Sequence, residues 1–148
     1  METPLAPLLP SLADVPLNAL DGTRLLGLTG TPAALVRAGL PFDAFERLAA
    51  FLGVGDYDLA EALDLAPRTL ARRRGGAFTP AESDRLLRLA RLSELALVVF
   101  EDDEAAARWL RTTKRRLGGE SPLKHADTAP GASEVEDVLY AIEFGFPS

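Results

Sequence analysis

YDLAEALDLAPRTLARRR, residues Tyr57 to Arg74, reads as a helix, a tight turn and a second helix that carries arginines. Leu59 and Leu63 lie one helical turn apart beside small Ala60, Leu65 follows the turn, and Leu70 is the inward residue of the second helix. These leucines can form one small shared core. Ala66 and Pro67 open a segment whose outward positions include Arg68, Thr69 and Arg72, closed by Arg73 and Arg74, with no acidic residue from Leu65 to Phe78. A helix pinned by its apolar side and showing arginines on the other suits the major groove of DNA, where Arg takes guanine edges bidentately. An ordinary helical hairpin with a solvated basic face carries the same pattern.

On these residues the stretch resembles the Xre-type helix-turn-helix of phage-repressor-like proteins. Asp64 stands where such motifs usually place Gly, and Asp tolerates the left-handed backbone better than most residues. Arg73 stands where an apolar residue is common.

The chain has 148 residues, enough for one sizeable core or two small modules sharing an interface. It has no Cys and a single His, His125, which removes disulfides and thiolate chemistry and leaves little for a metal site. Neither a metal nor a cofactor is expected. The net charge of -6 opposes bulk attraction to nucleic acid, so any DNA affinity has to come from local clusters. Charge is in fact segregated: Arg111 to Arg116 holds four cations, whereas Asp127 to Ser148 holds five carboxylates and no cation. No basic residue precedes an early apolar run, prolines 4, 7, 10 and 16 interrupt the N-terminus, and no stretch is long enough to cross a membrane. A cytoplasmic location is expected.

Moving outward from the motif, Met1 to Leu20 mixes Pro and Leu without a helical period and reads as a mobile arm. Thr31 and Pro32 cap a short helix that Gly39 ends, and Asp43 to Leu52 forms another that packs under the motif. Beyond the arginines, Thr79, Pro80 and Glu82 form a capping box from which a helix should run to about Phe100. Its charges, mainly Arg85, Arg88, Arg91 and Glu94, leave a narrow polar stripe and a wide apolar surface, to be covered by a second copy or by the chain's own helices. The acidic run Glu101 to Glu104 is better suited to starting the next helix than to holding a cation, and Trp109 and Leu110 should anchor that helix. Arg111 to Arg116 suits phosphate contacts or a solvated loop equally. Gly118 and Gly119 allow a turn, Ser121 and Pro122 cap a helix through Ala126, Asp127 to Gly131 reads as a break, and Ser133 with Glu136 as a further capping box. Carboxylate pairs such as Asp102 with Glu104, or Glu134 with Asp137, have no companion group that would make them catalytic.

From Glu82 onward the chain resembles the C-terminal toxin-binding region of the Xre/MbcA/ParS antitoxin family, through ESDRLLRLARL at Glu82 to Leu92, ARWLRT at Ala107 to Thr112, LGGESPL at Leu117 to Leu123, and the closing EVEDVLYAIEFGFPS. The resemblance implies an all-α fold in three parts: an N-terminal arm, partly disordered, over residues 1–30; a helix-turn-helix domain over 31–78; and, joined through the long central helix, a toxin-binding domain over 79–148. It implies a non-enzymatic antitoxin whose partner is a RES-domain toxin that degrades NAD or transfers its ADP-ribose, with Glu136, Tyr140, Glu143, Phe144, Gly145, Phe146 and Ser148 in the segment that occludes the toxin's cleft. Arg68, Thr69, Arg72, Arg73 and Arg74 are the expected DNA contacts, on the operator of its own operon, with a homodimer presenting two such helices. The alternative is a stand-alone transcription regulator whose C-terminal half dimerises or binds a small ligand.

Overall fold

The computed structural model describes residues 12–145, and every regular element among them is helical. In chain order these are α1 (Thr23–Leu26), α2 (Pro32–Ala38), α3 (Phe42–Leu52), α4 (Asp56–Ala62), α5 (Pro67–Arg73), α6 (Pro80–Phe100), α7 (Asp103–Arg111), α8 (Pro122–His125) and α9 (Ala129–Phe144). The helix-turn-helix is α4 and α5, and an isolated bridge between Pro41 and Ala77 closes the loop around it.

The 21-residue α6 starts at the expected capping box, where the Thr79 hydroxyl accepts from the Glu82 amide at 3.2 Å and the Glu82 carboxylate accepts from the Thr79 amide at 2.9 Å. Such a cap satisfies two backbone donors that the first turn leaves without partners, worth about 1 kcal/mol. The wide apolar surface is covered by the chain's own helices: α1, α2 and part of α3 from one half, α7 and α9 from the other. Leu86, Leu92, Leu95, Ala96 and Leu97 are all buried without a second copy, so a homodimer through that surface is not available. Phe42, Phe45 and Phe78 stack with ring centroids 5.4 to 5.9 Å apart and seat the motif on α3.

From Leu12 on, the stretch read as an arm is packed against the rest of the molecule. Leu12, Leu20, Leu25 and Leu26 are buried, and the helix α1 among them is four residues long, too short to show a period. Residues 1–11 of the expected arm lie outside the described residues. Gly22, at φ 90°, presses against α6 so closely that a Cβ there would lie 2.8 Å from the Arg91 amide nitrogen and the Leu87 carbonyl oxygen. Only glycine fits. Glu94, expected on a polar stripe, is 0 % exposed, and its carboxylate accepts from the amides of Gly22 and Leu25, both at 2.9 Å. It thereby caps α1 from 72 and 69 residues away. Arg91 donates from Nε to the Leu20 carbonyl at 2.9 Å.

The last helix, α9, begins at Ala129, with the Thr128 hydroxyl accepting from the Gly131 amide at 3.1 Å, so Thr128 is the cap rather than Ser133. Pro130 belongs to the first turn, where a missing N–H costs nothing, which is why residues 127–131 look like a break in sequence. Gly131 is buried against α8; a Cβ there would stand 1.9 Å from the His125 carbonyl oxygen.

Glu94→Ala should lower stability by about 3 kcal/mol in chemical denaturation, because it leaves two buried amides without an acceptor. Burial pushes the Glu94 carboxyl above its ordinary value of 4.5, against the opposing pull of the Leu25 and Gly22 amides. The folded state therefore binds this proton more tightly than the unfolded chain. That contribution to stability is complete below about 4.5 and is lost as pH rises through the elevated pKa. Glu94→Gln should remove this part of the pH dependence.

Candidate functional site

Two surfaces carry chemistry that packing alone does not explain. The first is built on α4 and α5. The turn between them places Asp64 at φ 58°, the left-handed conformation for which a glycine is usual. On α5 only Leu70 is buried, so apolar packing alone holds this helix weakly. Two arginines add the rest. The Arg73 guanidinium grips the Glu82 carboxylate at 2.7 and 2.9 Å, tying the end of α5 to the start of α6. Arg74 reaches Asp56 at 3.1 Å and lies 5.0 Å from the centroid of the Phe42 ring. Arg68 and Arg72 are exposed and make no ion pair among the described residues, while Thr69 is half-buried beside them. Of the five residues singled out in the sequence, Arg68, Thr69 and Arg72 thus face outward together. Arg73 and Arg74 orient the helix that carries them, and Arg74 keeps half of its side chain in solvent.

The basic run at the end of α7 is also drawn into the fold. Arg111 donates to the Leu52 carbonyl at 2.6 Å and so closes the C-terminal end of α3, and the Lys114 ammonium sits 4.9 Å from the Trp109 ring centroid. Asp102 is the N-cap of α7, accepting from the Ala105 amide at 2.8 Å. Glu104 lies 3.4 Å from Arg111. Among the described residues no group of His, Asp and Glu is placed to hold a metal, and no helix is long and apolar enough to cross a membrane.

The second surface is α9. Its inner side, Val135, Val138, Leu139 and Ala141, is buried. Its outer side carries Ile142 and Phe144, 45 % and 57 % exposed, together with exposed Glu143. Tyr140 is half-buried and stacks on Phe144 at 6.2 Å. Gly145 ends the helix at φ 71° with its amide on the Ala141 carbonyl. Phe146 and Ser148, also expected in this surface, lie outside the described residues. Glu136 is partly buried and ion-paired with Arg91 of α6, so it holds α9 in place. An open groove of about 790 Å³ runs along the helix, lined by Asp137, Tyr140 and Phe144 and, from the N-terminal segment, by Leu17 and Asn18.

His125, which the sequence left without a role, clamps the base of this surface: Nδ1 lies 2.8 Å from Glu120 and Nε2 2.6 Å from Glu134. Glu134, Glu120 and the charge on both carboxylates hold its pKa above 6.5. A sequence signal existed, since Glu134 lies in the first turns of α9 and a lone His next to a proline-capped helix has few other partners.

Comparison with known proteins places both surfaces. Residues 31–91 match the antitoxin Xre-like helix-turn-helix domain, and residues 95–145 match the antitoxin Xre/MbcA/ParS C-terminal toxin-binding domain. The chain is 31 % identical over 113 residues to the antitoxin Xre of Yersinia enterocolitica, covering 74 % of this chain and 76 % of that protein. It is 30 % identical over 118 residues to the antitoxin Xre of Photorhabdus laumondii, covering 78 % and 80 %. An antitoxin Xre of Pseudomonas putida is 38 % identical over 81 residues, about half of each chain, 53 % and 51 %.

Arg73 and the Thr79 groups hold the Glu82 carboxyl down at about 2, below its ordinary 4.5. Its contribution to stability is present above 4.5 and lost as pH falls toward about 2, so Glu82→Gln should flatten the acid limb of the stability profile measured by denaturant titration. For His125 the sign is opposite. Its raised pKa gives stability that is complete below 6.5 and lost as pH rises through the elevated value, so His125→Gln should flatten the alkaline limb above 6.5.

Proposed function

The chain belongs to the Xre antitoxin family, and on that premise we propose that it neutralises a RES-domain toxin by covering the toxin's active-site cleft with the end of α9 and represses its own operon through α5. Family membership makes the coarse role that of an antitoxin with a toxin partner. The observation that carries the finer reading is the outer side of α9, where Tyr140, Ile142, Glu143 and Phe144 lie within the region matched to the toxin-binding domain and stand in solvent or at its edge. Aromatic rings bring large contact area at small entropic cost, and they dominate the centres of protein interfaces. The acidic composition of the segment, with Glu134, Glu136, Asp137 and Glu143, suits a cleft built to hold the phosphates of NAD.

At the other surface, Arg68 and Arg72 are the base-reading candidates, with Thr69 between them and Arg73 and Arg74 setting the angle of the helix. A palindromic operator follows if two copies place these helices about one DNA turn apart, roughly 34 Å. The homodimer this requires uses a surface other than the buried sides of α6. The site of action is the cytoplasm, where operator and toxin are both found.

Coexpression with the adjacent toxin gene tests the reading. The full chain should restore growth and copurify with the toxin, and Phe144→Ala should weaken capture by about 30-fold, the loss expected of a central aromatic anchor. Equal capture by both would reject occlusion by α9. Arg68→Ala and Arg72→Ala should each weaken specific operator binding by about 1 to 3 kcal/mol in a titration at fixed salt, with toxin capture unchanged. Unchanged operator affinity in both would reject the base-reading assignment, and operator binding without any capture of the toxin by the full chain would favour a regulator without a toxin partner.

A further inference from the structure

Residues 12–30 precede both matched regions, which begin at residues 31 and 95. They are nevertheless fastened to the molecule at several points. Leu12, Leu20, Leu25 and Leu26 are buried in the common core, Gly22 abuts the backbone of α6, and Glu94 caps α1. Arg91 adds a further bond, because the same side chain that donates to the Leu20 carbonyl is ion-paired with Glu136 of α9. The N-terminal segment and the toxin-binding helix are thus held to one guanidinium. Between them lies the groove of about 790 Å³, lined by Leu17 and Asn18 on one side and Asp137, Tyr140 and Phe144 on the other.

We propose that the toxin-binding surface is composite, with the 3-10 turn Leu17–Ala19 forming the second wall of a groove that receives an apolar side chain of the toxin flanked by cations. The proposal rests on the assignment of α9 as the toxin contact. Continuity with that surface identifies the occupant: among the described lining residues Asp137, Tyr140 and Phe144 belong to α9, and the last two are its aromatic pair. The apolar floor suits an aliphatic or aromatic tip. Asp137 on the wall and Glu143 on the same helix, in a segment that has no cation from Asp127 to Ser148, call for lysine or arginine around it. In this arrangement the buried Glu94 and the bridging Arg91 are positioning residues for the interface.

The test is calorimetric titration of the adjacent-gene RES-domain toxin, in a catalytically inactive form, into the full chain and its variants. Asn18 is exposed, so Asn18→Arg should keep the thermal midpoint of the parent chain. By narrowing the groove and repelling cations it should weaken toxin binding at least about tenfold. Leu17→Ala, which removes apolar lining and some core contact, should weaken it by about fivefold with the thermal midpoint followed alongside, and Arg24→Ala, exposed on the same segment and outside the groove, should leave it unchanged. If Asn18→Arg and Leu17→Ala bind like the parent while Phe144→Ala binds weakly, the composite surface is overturned and the role of α9 stands. If Phe144→Ala also binds like the parent, the assignment of α9 itself falls.

Discussion

A 21-residue helix with apolar side chains around most of its circumference persists in water only when neighbours clothe it on nearly every side. Everything else in the molecule follows from that demand on α6. Two short helices and the N-terminal segment cover it from one direction, α7 and α9 from the other, and the helix-turn-helix is seated at its capped end. Burial on this scale brings polar groups inside with it. Glu94 is tolerated at 0 % exposure because both its oxygens meet backbone amides, and those amides have no other acceptor in the segment they belong to.

The arginines show how a basic cluster is divided between side chains that hold helices together and side chains left open. A basic cluster looks uniform in sequence, yet each guanidinium has a fixed fork of donors, and where a carboxylate or carbonyl lies within reach the fork is occupied. Arg73, Arg74, Arg91 and Arg111 each close a joint between helices. Arg68 and Arg72 have no such partner among the described residues, and what distinguishes them is their position on the open side of a seven-residue helix. The chain's net charge is negative, so any attraction to a polyanion has to come from local displays of this kind.

The elements legible in the sequence were those whose causes are local. Thr31 with Pro32, Thr79 with Pro80 and Glu82, and Ser121 with Pro122 each start a helix where their side chains can reach an amide three residues on. Asp64 could be placed in a left-handed turn by chemistry alone. The features that escaped were those set by partners far along the chain: the packing of residues 12–30, the burial of Glu94, and the occupation of Arg73 and Arg74. Thr128 escaped for a different reason, since proline in a first turn looks the same as proline in a break until the following residues are seen to be helical. The motif quoted at the outset gave the orientation of α5 correctly, and the outer aromatic side of α9 could be anticipated from its composition, whereas the second wall of the groove could not.

The regions matched to the two antitoxin domains end at residue 91 and resume at residue 95, both within α6. No loop separates the helix-turn-helix half from the toxin-binding half. Residues 92–95 at the junction are buried and helical, so they offer a protease no exposed hinge, and recombination would have to cut through consecutive helical turns to join this helix-turn-helix to a different toxin-binding domain. The two trades of the protein are inherited, and dismantled, as one.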